Sequence, residues 1–98
     1  MNDVTVHIGL LYVDLFMGES HSLKEKRMIL KGLKERIRSK FNVSVSELDK
    51  QDKWQAAILG FAMLNSDQRH IDQAFQYILT FIESHSSVII SDQRIEFI

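Results

Sequence analysis

The sequence of 98 residues contains no cysteine, no proline and only four glycines. The lack of cysteine excludes disulfide bonds, thiol catalysis and Cys-ligated zinc. The lack of proline and the scarcity of glycine leave no candidate linker, so we predict a single domain over residues 1–98. No apolar run approaches the roughly 18 residues that suggest a membrane span. The first residues also lack the basic and apolar regions of a secretory signal. These absences predict a cytoplasmic protein that does not associate with a membrane.

The net charge of −1 conceals a strongly uneven distribution of charge along the chain. Eight of the twelve Lys and Arg residues lie between positions 23 and 40, together with two acids, Glu25 and Glu35. This segment therefore carries a net charge of +6, and the rest of the chain carries −7. Such an asymmetry predicts an anionic partner for one face of the protein.

The hydrophobic pattern predicts six elements in the order β-α-β-β-α-β. The predicted elements are strand 4–16, helix 23–40, strand 42–49, strand 53–64, helix 68–84 and strand 88–98. Two right-handed crossovers joined by a hairpin give an α+β ferredoxin-like sandwich, with two helices on one face of an antiparallel sheet. The first and third strands are apolar on both faces, as is typical of central strands. The second face of this sheet needs a cover, so we predict a homodimer through the open face. The alternative is a monomer that tolerates a half-exposed sheet.

Five cations of the first helix follow one another along a single side of it. We refer to them as the basic stripe: Lys24, Arg27, Lys31, Lys34 and Arg38. At a rise of 1.5 Å per residue the stripe is about 21 Å long, enough to meet several phosphates of a nucleic acid. Two alternatives remain open, because charged helix faces are usually just solvated. The stripe could also pair with the acids of the predicted hairpin, within one subunit or between two: Glu47, Asp49 and Asp52.

The start of the same helix is a second candidate anion site. Ser22, with Glu25 three residues later, predicts a capping box. Lys24, Lys26 and Arg27 lie at the positive end of the helix dipole, where an exposed cation is unfavourable by roughly 0.3–1 kcal/mol. Unpaired N–H groups together with these cations would bind an anion. The complete candidate set for an anion or nucleic acid is His21, Ser22, Lys24, Lys26, Arg27, Lys31, Lys34 and Arg38.

Lys26 differs from the other cations because it lies on the apolar side of the helix, one turn before Leu30. Its ammonium group must therefore reach out past the sheet edge or meet an acid such as Asp14 or Glu47.

Two segments carry a resemblance to a known family. "HSLKEKR" (21–27) and "FNVSVSELDKQDKWQAAILGFAML" (41–64) resemble the YlxP-like family of small bacterial proteins, domain of unknown function 503. Residues 22–27 match its Ser-Leu-Lys-(Glu/Asp)-Lys-Arg hallmark in full, and Glu47, Asp52 and Trp54 fall where the family has an acid, an acid and an aromatic residue. The resemblance implies a ferredoxin-like fold. Genes of this family often lie beside those for translation initiation and ribosome maturation factors, so the resemblance also implies a task near the ribosome or RNA. No catalytic activity is established for the family, so no catalytic residue is implied.

Other functional signals are weaker. RNA-recognition modules share this order of elements and stack bases on aromatic residues of the first and third strands. Here 11–16 and 59–64 resemble those motifs only loosely, since Met63 occupies the position of a second aromatic residue. The four histidines show no metal-ligand spacing. We therefore predict no metal, no cofactor and no enzymatic activity. The first hypothesis is an RNA- or ribosome-associated accessory protein, and the alternative is a protein-interaction module that dimerises through its sheet.

Overall fold

The computed structural model describes residues 3–98. It contains β1 (His7–Phe16), α1 (Leu23–Lys40), β2 (Ser44–Asp49), β3 (Ala56–Asn65), α2 (Gln68–Glu83) and β4 (Ile89–Phe97). The four strands form one antiparallel sheet in the order β2-β3-β1-β4. The predicted α+β ferredoxin-like arrangement is confirmed, including the central position of the first and third strands.

Burial alternates along both central strands because successive side chains point to opposite faces of the sheet. Leu11, Val13 and Leu15 of β1 face the helices together with Leu59 and Phe61 of β3, and all five are buried. The helices cover these side chains with apolar stripes of their own: Leu30, Leu33 and Ile37 from α1, and Ile71, Ala74, Phe75, Ile78, Leu79 and Ile82 from α2. The core therefore lies between the helices and one face of the sheet.

Both central strands begin later than the sequence predicts. The strand expected from position 4 starts at His7, which pairs with Asn65, the last residue of β3. Val4 and Val6 lie beyond that pairing and are exposed. The strand expected from position 53 starts at Ala56, because the N–H of Lys53 closes the preceding turn on the carbonyl of Lys50. A strand ends where its neighbour offers no further hydrogen bonds, and apolar composition alone does not show that point.

The face of the sheet away from the helices is half-exposed and carries polar contacts of its own. The guanidinium of Arg94 lies 4.4 Å from the ring centroid of Tyr12. Lys50 Nζ lies 3.2 Å from Asp14 Oδ1. Exposed apolar residues lie near the ends of this open face: Phe16, Leu64 and Ile89. No helix within residues 3–98 is long and apolar enough to span a membrane.

Candidate functional site

The start of α1 is capped by its own side chains. The hydroxyl of Ser22 accepts a hydrogen bond of 3.1 Å from the N–H of Glu25, and the Glu25 carboxylate accepts one of 2.7 Å from the N–H of His21. This is a variant of the predicted capping box. In the usual box the Glu25 carboxylate would accept from the N–H of Ser22, the N-cap residue, and here it accepts from the N–H of the preceding residue, His21. A carboxylate therefore already occupies the positive end of the helix. The position predicted to hold an anion is partly filled by Glu25.

Lys26 is a buried structural residue. Its side chain is 1% exposed, and Nζ donates to the carbonyl oxygens of Lys50 (2.6 Å) and Lys53 (2.7 Å). Nζ also forms an ion pair of 2.7 Å with Glu47 Oε2, one of the two acids suggested by the sequence. The other acid, Asp14, lies on the opposite face of the sheet and pairs with Lys50. We call the contacts of Lys26 with Lys50, Lys53 and Glu47 the lysine lock, because they fasten the β2–β3 turn to α1.

The contacts of the lysine lock exclude Lys26 from the candidate anion site, so its inclusion in the predicted set was wrong. An ammonium group has three N–H donors. Two of these donors bond to carbonyl oxygens, the charge is paired with Glu47, and the Lys26 side chain is only 1% exposed. Lys26 therefore has no capacity left for an external phosphate. Lys26 lies in the apolar stripe of the helix because its ammonium group binds the β2–β3 turn and so stabilises the fold.

The basic stripe runs along the outer side of α1. Lys24, Arg27 and Lys31 are exposed, and Lys34 is half-buried. Only Lys31 of these four lies within ion-pair distance of a carboxylate in residues 3–98, with its Nζ 4.0 Å from Glu35 Oε1. An exposed pair of this kind contributes little, about 0–1 kcal/mol.

Arg38, at the end of the stripe, has a structural partner. Its Nη2 donates a hydrogen bond of 3.1 Å to the carbonyl of Val45 on the edge strand β2. A guanidinium carries five N–H donors, so this single bond leaves most of them available. Arg38 is exposed and remains in the candidate set, held beside the sheet edge.

The acids of the hairpin do not neutralise the stripe within the described chain. Glu47 pairs with Lys26, while the Asp49 carboxylate accepts a hydrogen bond from the N–H of Lys50. Asp52 is exposed and forms no ion pair among residues 3–98. Pairing of the stripe with the hairpin acids within one subunit is therefore absent among residues 3–98, and the explanation by pairing between two subunits stays a prediction.

Lys50 is part of the lysine lock, a role that the sequence did not predict. It adopts a left-handed backbone conformation with φ of 63°, and its carbonyl accepts the hydrogen bond from Lys26. Its own ammonium group reaches to the open face and meets Asp14. The turn is thus held from both faces of the sheet. Trp54, which is half-exposed, follows this turn just before β3.

Two of the aromatic residues in the segments that resemble RNA-recognition motifs are not free to stack on bases. Phe61, in the strand segment that resembles an RNA-recognition motif, points to the helices and is 1% exposed. Tyr12 does lie on the open face, but the Arg94 guanidinium covers its ring. Nor does the described part of the chain bring three or more His, Cys, Asp or Glu side chains together as potential metal ligands. The basic stripe therefore remains the principal candidate site.

Comparisons with known proteins give the family. The profile described as "Protein of unknown function (DUF503)" matches residues 8–95. The uncharacterized protein YlxP of Bacillus subtilis (strain 168) is 37% identical over 81 residues, which cover 83% of this chain and 88% of that protein. Among solved structures, the de novo designed protein Foldit4 has a TM-score of 0.57 and 13% identity, with 94% of this chain and 96% of that chain covered. The last likeness concerns the fold alone. The first two show that the chain belongs to the DUF503 family of YlxP-like proteins, a family of unknown function.

Proposed function

We propose that the chain is an RNA- or ribosome-associated accessory protein that contacts the phosphates of structured RNA through the basic stripe. One observation carries the proposal. Five cations line one side of a single helix, and only Lys31 among them contacts a carboxylate in residues 3–98, at 4.0 Å. Unpaired cations in a row repel one another, so an anion that lies along them gains from each.

The charge of the remaining surface orients such a partner. The segment of residues 23–40 carries +6 and the rest of the chain −7, so a polyanion is attracted to one side and repelled from the others. The stripe offers point charges on flexible side chains along one side of α1. These features suit the regular phosphates of a folded RNA, and base identity plays little part in such contacts.

The test measures binding of a fluorescent RNA hairpin by anisotropy across a series of KCl concentrations. We expect Lys24→Glu, Arg27→Glu and Lys31→Glu each to weaken binding at low salt. Each variant should also lower the slope of log Kd against log salt by about one unit for each phosphate that the variant no longer binds.

Arg36→Glu is the matched control. It makes the same change of charge in the same helix, but Arg36 lies about 160° around the helix from the centre of the stripe. Arg36 is exposed and has no side-chain partner in residues 3–98, so its reversal should leave the slope unchanged. Equal RNA affinity in all four variants and the parent chain at low salt would refute the proposal.

The second candidate is a protein-interaction module that dimerises through the open face of the sheet. It is supported by the exposed apolar side chains there, since Leu64 and Ile89 are each more than 60% exposed. This candidate predicts a mass of twice the 11.4 kDa of the chain in sedimentation equilibrium. Leu64→Lys should return the mass to that of one chain, because a charge would then be buried in the interface. A mass that Leu64→Lys leaves unchanged argues against the open face as the interface.

A further inference from the structure

The two edges of the sheet differ in how they are protected. The β2 edge has only six residues, a register shift between Glu47 and Asp49, and the Arg38 guanidinium on the carbonyl of Val45. Short length, an irregularity and a charged side chain are the devices that prevent an edge strand from pairing with another chain. The β4 edge has nine residues, and its pairing with β1 is regular from Asp92 to Phe97.

The pairing of β4 with β1 determines which backbone groups point outward. The N–H of Ile98 donates to the carbonyl of Ile8 at 2.9 Å. In an antiparallel ladder, hydrogen-bonded residues alternate with residues whose groups point the other way. Gln93, Ile95 and Phe97 therefore direct their N–H and C=O groups to the free edge. The N–H of Gln93 is already bonded to Asp92 Oδ1 at 2.8 Å, whereas those of Ile95 and Phe97 have no partner in residues 3–98.

We propose that β4 pairs with β4 of a second copy of this chain, antiparallel, about a two-fold axis at Ile95. Directly opposite residues then have numbers that sum to 190. Ile95 exchanges two hydrogen bonds with Ile95 of the partner subunit. The N–H of each Phe97 donates to the carbonyl of Gln93 in the other subunit. These four bonds satisfy both unpartnered N–H groups of each β4 edge.

Charge complementarity favours the same register. Arg94 comes to lie opposite Glu96 of the partner subunit, and Glu96 lies opposite the partner's Arg94. Within one chain these two side chains are 67% and 45% exposed and only loosely paired, with Arg94 Nη2 3.9 Å from Glu96 Oε1. Opposite charges directly across a ladder are favourable, and like charges are unfavourable.

Neighbouring registers are worse. An axis at Arg94 sets two arginines opposite each other. An axis at Gln93 requires its N–H, which Asp92 occupies, and extends the ladder over the irregularity between Asp14 and Leu15 of β1. In the register centred on Ile95 the new ladder stays within the regular part of β4. Because α1 packs against β2 at the other side of the sheet and α2 packs against β4, the basic stripes of both copies remain exposed.

Charge exchange tests this pairing. A short ladder buries less surface than a standard interface, which buries at least about 1,200 Å², so the dimer should be weak. Sedimentation equilibrium should therefore be run up to millimolar concentration. The wild-type chain should show a concentration-dependent dimer. Arg94→Glu and Glu96→Arg should each weaken it about tenfold or more, since each sets two like-charged pairs across the axis. An equimolar mixture of the two variants should dimerise again, because both pairs become opposite in sign. Arg36→Glu, on the distant helix, is the control and should dimerise normally.

Hydrogen exchange provides a readout at the edge itself. The amides of Ile95 and Phe97 should exchange more slowly as the concentration of the wild-type chain rises, and the Asp92-bonded amide of Gln93 should change less. A chain that stays monomeric at millimolar concentration overturns the proposal. So does a dimer that Leu64→Lys abolishes while the Ile95 and Phe97 amides remain unprotected, because that result assigns the interface to the open face. A dimer insensitive to Glu96→Arg but weakened by Arg94→Glu overturns the register centred on Ile95.

Discussion

Lys26→Met should lower the free energy of unfolding by about 3 kcal/mol. The substitution keeps an unbranched apolar stem of similar length and removes the ammonium group. Two carbonyls then lose their hydrogen-bond donor, and the Glu47 carboxylate loses its ion-pair partner. Removing one partner of a buried pair costs about 3–5 kcal/mol, mostly because the other charge is left unpaired. The lower end applies because the Glu47 side chain is not fully buried but 20% exposed.

Urea unfolding followed by circular dichroism measures this loss as a change in the transition midpoint. Arg27→Met is the matched control, since the neighbouring side chain is exposed and has no partner in residues 3–98. Its effect should stay within about 0.5 kcal/mol. Glu47→Gln added to Lys26→Met should recover part of the stability, because the unpaired charge is then gone. A loss below about 1 kcal/mol for Lys26→Met would show that the lysine lock does not hold the hairpin to the helix.

The family's hallmark run contains residues whose contacts stabilise the fold and exposed residues that make no such contacts. Ser22 and Glu25 cap the helix, and Lys26 fastens the hairpin. Lys24 and Arg27 are exposed and make no side-chain hydrogen bond or ion pair within residues 3–98. Folding accounts for the first three residues but not for these two. They also begin the basic stripe, so the proposed RNA contact rests on the residues that the fold does not explain.

The order and type of the elements were readable from the sequence because hydrophobic periodicity reports which faces are buried. The same periodicity placed Lys26 on the buried side of α1, with Asp14 and Glu47 as its two candidate partners. It could not supply the carbonyls of Lys50 and Lys53, since these depend on a turn in which Lys50 adopts a positive φ. It also could not decide between Glu47 and Asp14. That choice requires the register of three strands, which places Asp14 on the face away from α1.

Protection of the sheet edges was equally hidden in the sequence. The β4 segment contains charged residues at positions 92, 94 and 96, which suggest an exposed edge. Only the hydrogen bonds show that Asp92 binds one outward N–H and that two others have no partner in residues 3–98. Local composition records which residues are polar. The direction of each backbone group is a property of the assembled sheet.

Gly9→Ala should lower the free energy of unfolding by about 1–3 kcal/mol, because it overpacks the core beneath α2. A Cβ at this position would lie 2.5 Å from Ile71 Cγ2 and 3.0 Å from Phe75 Cε2. Both side chains are fully buried, so the new Cβ meets packed core atoms. The backbone conformation of Gly9 is not left-handed, so the cost comes from contact alone.

Gly60→Ala is the control for this effect, because it makes the same substitution in the other central strand, on the open face. Its Cβ would also meet an atom at 2.5 Å, Leu48 Cδ1, but that side chain is half-exposed and can turn towards water. The change in stability should stay within about 0.5 kcal/mol. Urea unfolding of both variants makes the comparison, and equal losses would contradict it. Ile71→Ala removes the atom that the new Cβ meets, so the double variant with Gly9→Ala should lose less stability than the sum of the two single variants.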